Sequence, residues 1–108
     1  MIRHIVLWRF LELTKKGNKK QNLQRARQML NEMATEIEGI IDIKIGINMG
    51  TGLNRSDLAL SMLFEDQEAL DSYQKHPAHE KVKDFLREVR YERRAIDYEV
   101  KEKHNTIS

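Results

Sequence analysis

Residues 3–10, with the sequence Arg-His-Ile-Val-Leu-Trp-Arg-Phe, decide the fold. Alternate side chains of a β-strand lie on opposite faces, so the even positions from His4 to Phe10 form one largely apolar face. Ile5 and Leu7 make the other face apolar as well. Because a strand that is apolar on both faces must be covered on both sides, we predict a central strand of a sheet.

Helical and strand patterns alternate along the rest of the chain. Residues 20–38 have apolar side chains at helical spacing and stop before Gly39, which predicts a first helix. Apolar residues at every second position predict a half-buried strand over residues 41–49. Residues 58–64 are apolar on both faces, so we expect a second central strand there.

Two further helices and a last strand follow. Asp66 is in position to cap a short helix, and Pro77 ends that helix and begins the next. Apolar and charged residues alternate over residues 96–101, which predicts a last strand with one solvent-exposed face, and we expect Tyr98 in the core. We predict a disordered tail for residues 103–108.

The order β-α-β-β-α-β defines an α+β fold class. Strands one and three are apolar on both faces and strands two and four on one, which matches a ferredoxin-like four-stranded antiparallel sheet with helices on one face. We assign a single domain to residues 1–102. If the helices cover the face of His4, the opposite face keeps an apolar patch formed by Ile5, Leu7, Ala59 and Leu63. A monomer rarely exposes such a patch, so we expect a homodimer through the sheet faces, a dimeric α+β barrel.

The composition excludes several classes of protein. The 108 residues include 19 Lys+Arg, 17 Asp+Glu and no cysteine, which excludes disulfides and thiolate metal sites. The basic cluster in residues 15–20 contains no aromatic side chain and predicts a solvated loop, so we expect no nucleic-acid partner. No apolar run approaches the ~18 residues that span a bilayer. We therefore expect no membrane partner and a cytoplasmic location.

Four stretches of the sequence resemble the stress-responsive α/β barrel (Dabb) family: residues 3–10, 58–66, 69–79 and 96–100. The most specific part is the tetrad His-Pro-Ala-His at residues 76–79, which follows Tyr73 and precedes an amphipathic helix. The resemblance implies a dimeric α+β barrel of the ferredoxin-like type, in agreement with the topology predicted above. Many bacterial members of this family have no assigned activity.

The resemblance also implies roles for individual residues. A plant polyketide cyclase of the family closes a linear polyketide thioester into an aromatic acid by intramolecular aldol chemistry. Tyr73 matches its catalytic tyrosine, His79 its catalytic base, and His4 a pocket histidine on its first strand. We expect Trp8 and His76 to join His4 as substrate-binding residues. The cyclase lines its pocket with an aromatic side chain of its first helix, and residues 20–38 contain none, so its substrate is not carried over.

These residue types suit aldol chemistry. The reaction needs a base that removes a proton next to a carbonyl and a donor that stabilises the resulting oxyanion, and imidazole and phenol supply these two functions. His79 lies in the first turn of its predicted helix, where the helix dipole disfavours the imidazolium form. We therefore expect His79 and Tyr73 to act without a cofactor or a metal.

Each histidine also has a structural interpretation. His79 is equally well explained as a core histidine that holds the turn at Pro77, whereas His4 is better explained as a hydrogen-bonded core residue. His76 fits an N-cap or turn position. His76 and His79 together supply only two metal ligands, so we predict no metal site.

Two classes of function remain open. The first is a small enzyme or binding protein whose pocket between sheet and helices takes a carbonyl compound or an acyl thioester. The second is a non-enzymatic interaction or stress-protection module that acts as an oligomer. A third possibility, an oxygenase activity like that of the wider dimeric α+β barrel group, rests on fold analogy alone. A cavity beside His79 and Tyr73 favours the first class, and solid packing there favours the second.

Overall fold

The structure is a computed structural model and describes residues 1–101 of the chain. The tail at residues 103–108, predicted to be disordered, lies outside the described residues. Within the described range the elements are, in order, β1 (Ile2–Phe10), β2 (Leu13–Thr14), β3 (Gly17–Asn18), α1 (Lys19–Glu36), β4 (Ile40–Ile47), β5 (Leu58–Phe64), α2 (Gln67–Lys75), α3 (Pro77–Val89) and β6 (Arg90–Glu99).

The main sheet has the strand order β4-β5-β1-β6, and every neighbouring pair is antiparallel. β1 and β5 are the central strands, as their two-sided apolar pattern predicts, and β4 and β6 are the edges. Val6 lies between Leu60 on one neighbour and Ala95 on the other. The ferredoxin-like α+β fold is thereby confirmed.

All three helices lie on the same side of the sheet as the even residues of β1. Val6, Trp8 and Phe10 are buried there, and the alternate residues of β5 from Leu58 to Phe64 are buried beside them. α1 contributes Leu23, Ala26, Leu30 and Met33, and α3 contributes Val82, Phe85, Leu86 and Val89. Each large apolar side chain buried in this core contributes about 1.5–3 kcal/mol. No helix in residues 1–101 is both long enough and apolar enough to span a bilayer.

The opposite face of the sheet is uncovered. Ile5, Ala59 and Leu63 are partly exposed there, and Leu7 is 38% exposed. Tyr98 also lies on this outer face and is 43% exposed, so its prediction as a core residue was wrong. The reason is the register of β6, which pairs Tyr98 with the outward-facing Arg3 and turns Asp97 toward the helices. An alternating pattern cannot say which of its two faces meets the helices.

Some element boundaries differ from the predictions. The lysine-rich segment is not a simple loop, because residues 13–18 form the short hairpin β2–β3 and Lys19 and Lys20 begin α1. The buried side-chain amide of Asn22 donates to Thr14 Oγ1 and the Gly17 carbonyl, which fixes the hairpin on α1. α1 ends at Glu36, two residues before the predicted end, because Ile37 turns into extended backbone.

The edge strands also differ in length and register. β4 begins at Ile40, and the register shift between Ile40 and Asp42 leaves Ile41 exposed outside the alternation. β6 begins at Arg90, directly after α3, well before the predicted alternation. Its first half is charged, so it carries no apolar alternation for a sequence pattern to detect.

The N-cap of α2 offers a test of the element that carries Tyr73. Asp66 accepts a hydrogen bond from the Ala69 amide at 2.9 Å. We expect Asp66→Ala to lower the free energy of unfolding by about 1 kcal/mol, since N-cap losses have this size. Urea unfolding measures the change. Glu65→Ala removes the same charge from the preceding exposed position, and an equal loss in this control would contradict the capping role.

Candidate functional site

Helices α2 and α3 follow each other with a single residue between them. Residue His76 ends α2 and begins α3, and Pro77 occupies the first helical position of α3. The Nδ1 atom of His76 accepts a hydrogen bond from the Ala78 amide at 3.0 Å. The structure thus confirms that His76 is an N-cap, and its ring does not line the cavity described below.

The corner at His76 brings Tyr73 of α2 against His79 of α3. Their ring centroids are 4.2 Å apart, with 30° between the ring planes. Tyr73 also forms an edge-to-face contact with the His4 ring at a centroid distance of 5.7 Å and packs against Phe64 at 5.3 Å. The three residues matched by the family resemblance therefore form one contiguous cluster.

His79 is held in its neutral form. Its side chain is partly exposed, and burial is the main factor that lowers its pKa from 6.5 to about 4. The positive charge of Lys83 adds to the lowering, while the Gln74 carbonyl opposes it. The helix dipole was the reason predicted from the sequence, whereas desolvation is the larger cause in the structure.

The hydrogen bonding of His79 also indicates its tautomer. Nδ1 lies 3.4 Å from the Gln74 carbonyl oxygen. A carbonyl oxygen only accepts, so the ring proton lies on Nδ1 and Nε2 keeps a free lone pair. A neutral imidazole with a free nitrogen is the form that a general base requires.

Tyr73 is almost completely buried, with 1% of its surface exposed. Burial raises the pKa of its phenol well above the ordinary value, and the nearby Asp97 charge raises it further while Arg93 opposes the shift. The hydroxyl has no hydrogen-bond partner within residues 1–101, and because burial raises its pKa it stays protonated and remains a hydrogen-bond donor.

His4 is 2% exposed, and its Nδ1 lies 2.5 Å from Asp97 Oδ1. The carboxylate accepts a hydrogen bond from the Nδ1–H group, which fixes the tautomer of His4. The interpretation of His4 as a hydrogen-bonded core residue is therefore confirmed. Sequence reasoning missed Asp97, because the pairing of Asp97 with His4 depends on the register of β6 against β1.

A cavity of about 370 Å³ opens between β1, β6 and α3, within the size range of small-molecule sites. Its lining residues are Trp8, Gln74, His79, Lys83, Leu86, Arg87, Arg90 and Arg93. Trp8 and His79 thus line it as predicted, whereas Tyr73 and His4 lie behind His79 and do not line it. Sequence reasoning missed the four cationic side chains, since they come from two elements and look like ordinary surface charges.

The sheet and its three helices define a ferredoxin-like α+β protein, and the cavity beside His79 is its candidate site. The family model of the stress responsive A/B barrel domain, Dabb, matches residues 2–100, and the chain belongs to that family. A comparison with curated proteins gave no match.

Solved structures share the fold at low sequence identity. A dimeric ferredoxin-like protein of unknown function from Thermobifida fusca has a TM-score of 0.81 and 19% identity, covering 92% of this chain and 90% of that one. A Dabb family protein from Mesorhizobium loti has a TM-score of 0.73 and 23% identity, covering 92% and 95%. The hydroxynitrile lyase of Passiflora edulis has a TM-score of 0.74 and 15% identity, covering 96% of both chains. Identities this low establish a common fold only.

The depressed pKa of His79 predicts a specific titration. In NMR spectra, the ring signals of His79 should titrate with a midpoint of about 4. Unfolded chains bind this proton near pH 6.5, so the stabilising contribution of neutral His79 is complete above pH 6.5 and is lost as the pH falls toward 4. The melting temperature of His79→Gln should therefore fall less steeply over this interval than that of the unmodified protein. A midpoint at or above 6.5 would contradict the burial argument.

Proposed function

We propose that this protein binds a small carbonyl compound or acyl thioester in the cavity and that His79 removes a proton from the carbon next to the carbonyl, without a cofactor. The observation that carries this proposal is the neutral His79 imidazole, whose free Nε2 belongs to a side chain lining a cavity of metabolite size. Trp8 and Leu86 offer apolar surface for the carbon skeleton.

The proposed step divides the work between two residues. The C–H bond next to the carbonyl breaks, its proton moves to Nε2 of His79, and its electron pair passes to the carbonyl oxygen as an enolate. Tyr73 packs against His79 and does not line the cavity, so we infer that its hydroxyl, which must stay protonated, donates to that oxygen when the ligand lies directly against the His79 ring. The enolate carbon then takes up a proton or attacks a second carbonyl in the same molecule, which is the aldol outcome.

The remaining cluster residues support this pair. Asp97 holds the His4 ring through the hydrogen bond at Nδ1, and that ring contacts Tyr73. We infer that His4 and Asp97 are positioning residues for the phenol. Among the predicted substrate-binding residues, Trp8 lines the cavity, which supports contact with a ligand. The ring of His76 instead caps α3 and does not line the cavity.

The comparisons bear on the proposed reaction only through the fold. One protein of this fold is named a hydroxynitrile lyase, so the architecture is compatible with lyase chemistry. Its identity of 15% gives no information about the substrate of this chain.

Exchange of substrate protons tests the proposed chemistry. A thermal-shift screen of carbonyl metabolites and acyl thioesters selects ligands, and NMR in D₂O then follows exchange of the protons next to the carbonyl. We expect His79→Gln to slow the exchange about 10²–10⁴-fold, the usual contribution of a general base. Tyr73→Phe should cost about 10²–10³-fold, the loss typical of one oxyanion donor. Lys81→Gln, an exposed change on the same helix, serves as the control.

The pH profile gives a second readout of the same proposal. Exchange should be constant near neutral pH and decline below pH 5 with a midpoint of about 4, because protonated His79 is no longer a base. A screen without any ligand, or full activity in His79→Gln, would exclude the enzymatic function and favour the oligomeric module.

We also propose a homodimer formed through the outer face of the sheet. The partly exposed apolar side chains on this face are Ile5, Leu7, Ala59, Leu63, Ile96 and Tyr98. Two such faces packed together would remove them from water. The Thermobifida fusca protein and a similar protein from Bacteroides fragilis are described as dimeric.

One substitution on the outer face tests this interface. Leu7→Asp puts a charge at the centre of the proposed contact, where burial of an unpaired carboxylate costs several kcal/mol in practice. We expect monomers or insoluble protein, measured by size-exclusion chromatography with light scattering. Leu53→Asp, at a loop position 90% exposed, is the matched control and should leave the dimer intact. An unchanged dimer in Leu7→Asp would refute the interface.

A further inference from the structure

The cavity beside His79 has a strongly positive wall. Four cationic side chains and no carboxylate line it in the described part of the chain. Lys83 pairs with Glu80 at 3.1 Å, and Arg87 pairs with Asp84 at 3.0 Å. Arg90 and Arg93, by contrast, form no ion pair and no side-chain hydrogen bond within residues 1–101. Two uncompensated guanidinium groups therefore face the same small volume.

A β-bulge puts these two arginines on one face. Residues three apart in a regular strand point to opposite sides of the sheet, so Arg90 and Arg93 should be separated. In β6, however, Arg93 pairs with Trp8 and Arg90 pairs with Phe10, while Tyr91 is an additional residue opposite the register shift. Both arginines consequently lie on the helix side with the inward-facing Trp8 and Phe10. Bulges of this kind often redirect side chains beside functional sites.

The arrangement favours an anionic ligand group. Two like charges at one cavity repel each other unless an anion lies between them. The planar guanidinium fork matches a carboxylate and forms paired hydrogen bonds with it, which a lysine cannot do. A bound carboxylate would therefore compensate the charge of Arg90 and Arg93 in the geometry that arginine prefers.

We propose that the cavity takes small oxo acids, with the ligand carboxylate bound by Arg90 and Arg93 and the ligand carbonyl directed toward His79. This inference rests on the proposed function and narrows it from carbonyl compounds in general to carbonyl compounds that carry a carboxylate. The apolar body of the acid would lie on Trp8 and Leu86, which line the same cavity. The carboxylate then fixes which end of the molecule meets the base.

Binding of acids and their uncharged esters tests this assignment. The probes are pyruvate, 4-methyl-2-oxopentanoate, phenylpyruvate, acetoacetate and levulinate, each compared with its methyl ester. Trp8 is the single tryptophan of the sequence and lines the cavity, so its fluorescence reports occupancy. Calorimetry replaces fluorescence for probes that absorb. We expect at least one acid to bind tenfold or more tightly than its ester.

Removing the charges of Arg90 and Arg93 tests whether these two arginines of β6 cause the preference for an acid over its ester. The exposed change Arg93→Gln should abolish most of the preference for the acid, and the double change Arg90→Gln/Arg93→Gln should abolish all of it. Arg27→Gln is the control, because it removes the same charge from an exposed position on α1, away from both this cavity and the outer face of the sheet. This control should keep the preference. The single variant keeps the test valid if the double variant does not fold.

The outcomes separate this inference from the proposed function. Equal binding of acids and esters, binding of no acid, or an acid preference that survives Arg90→Gln/Arg93→Gln would overturn the carboxylate site. If neutral esters still undergo exchange that depends on His79, the proposed function stands without it. If acids bind preferentially but no exchange responds to His79→Gln, the carboxylate site stands and the proposed chemistry fails.

Discussion

The pairing register of β1 with its two neighbours is the constraint on which the rest of the structure depends. β1 lies between β5 and β6, and its residues from Ile2 to Trp8 have a partner on both sides. A slip of one residue would exchange the two faces, moving His4 and Trp8 to the outer side and Ile5 and Leu7 into the core. Such a slip would expose several large side chains, each of which contributes about 1.5–3 kcal/mol when buried, and would separate the residues of the candidate site. Core and site therefore have the same physical origin.

The cavity exists because the helices do not cover the whole sheet. β6 is an edge strand, and the helix-facing residues Arg93, Ala95 and Asp97 remain exposed along it. The space beside α3 is bounded by charged side chains of β6 on one wall and by His79 on the other. Asp97 ties this edge to the interior through its hydrogen bond to His4. The part of β6 that the helices leave uncovered thereby forms one wall of the candidate site.

The corner at His76 and Pro77 sets the electrostatics of the site. Both helices share His76 as their boundary, which leaves too little chain for Tyr73 and His79 to separate. Their stacked rings shield each other from water, and this burial keeps the imidazole neutral and the phenol protonated. The two protonation states are complementary, since one group accepts a proton while the other donates a hydrogen bond.

The sequence by itself determined the order of the main elements, the two central strands, the cap at Asp66, the helix start at Pro77 and the family. These features depend on local periodicity, capping and backbone restriction, which a few neighbouring residues encode. It also singled out His79, Tyr73, His4 and Trp8, which the fold brings to one region. Only the tertiary structure decided that Asp97 meets His4, that Tyr98 faces outward and that Arg90 and Arg93 share a cavity. These facts depend on the register of β6 and on one bulge, and pairing between residues 80 to 95 positions apart leaves no local pattern to read.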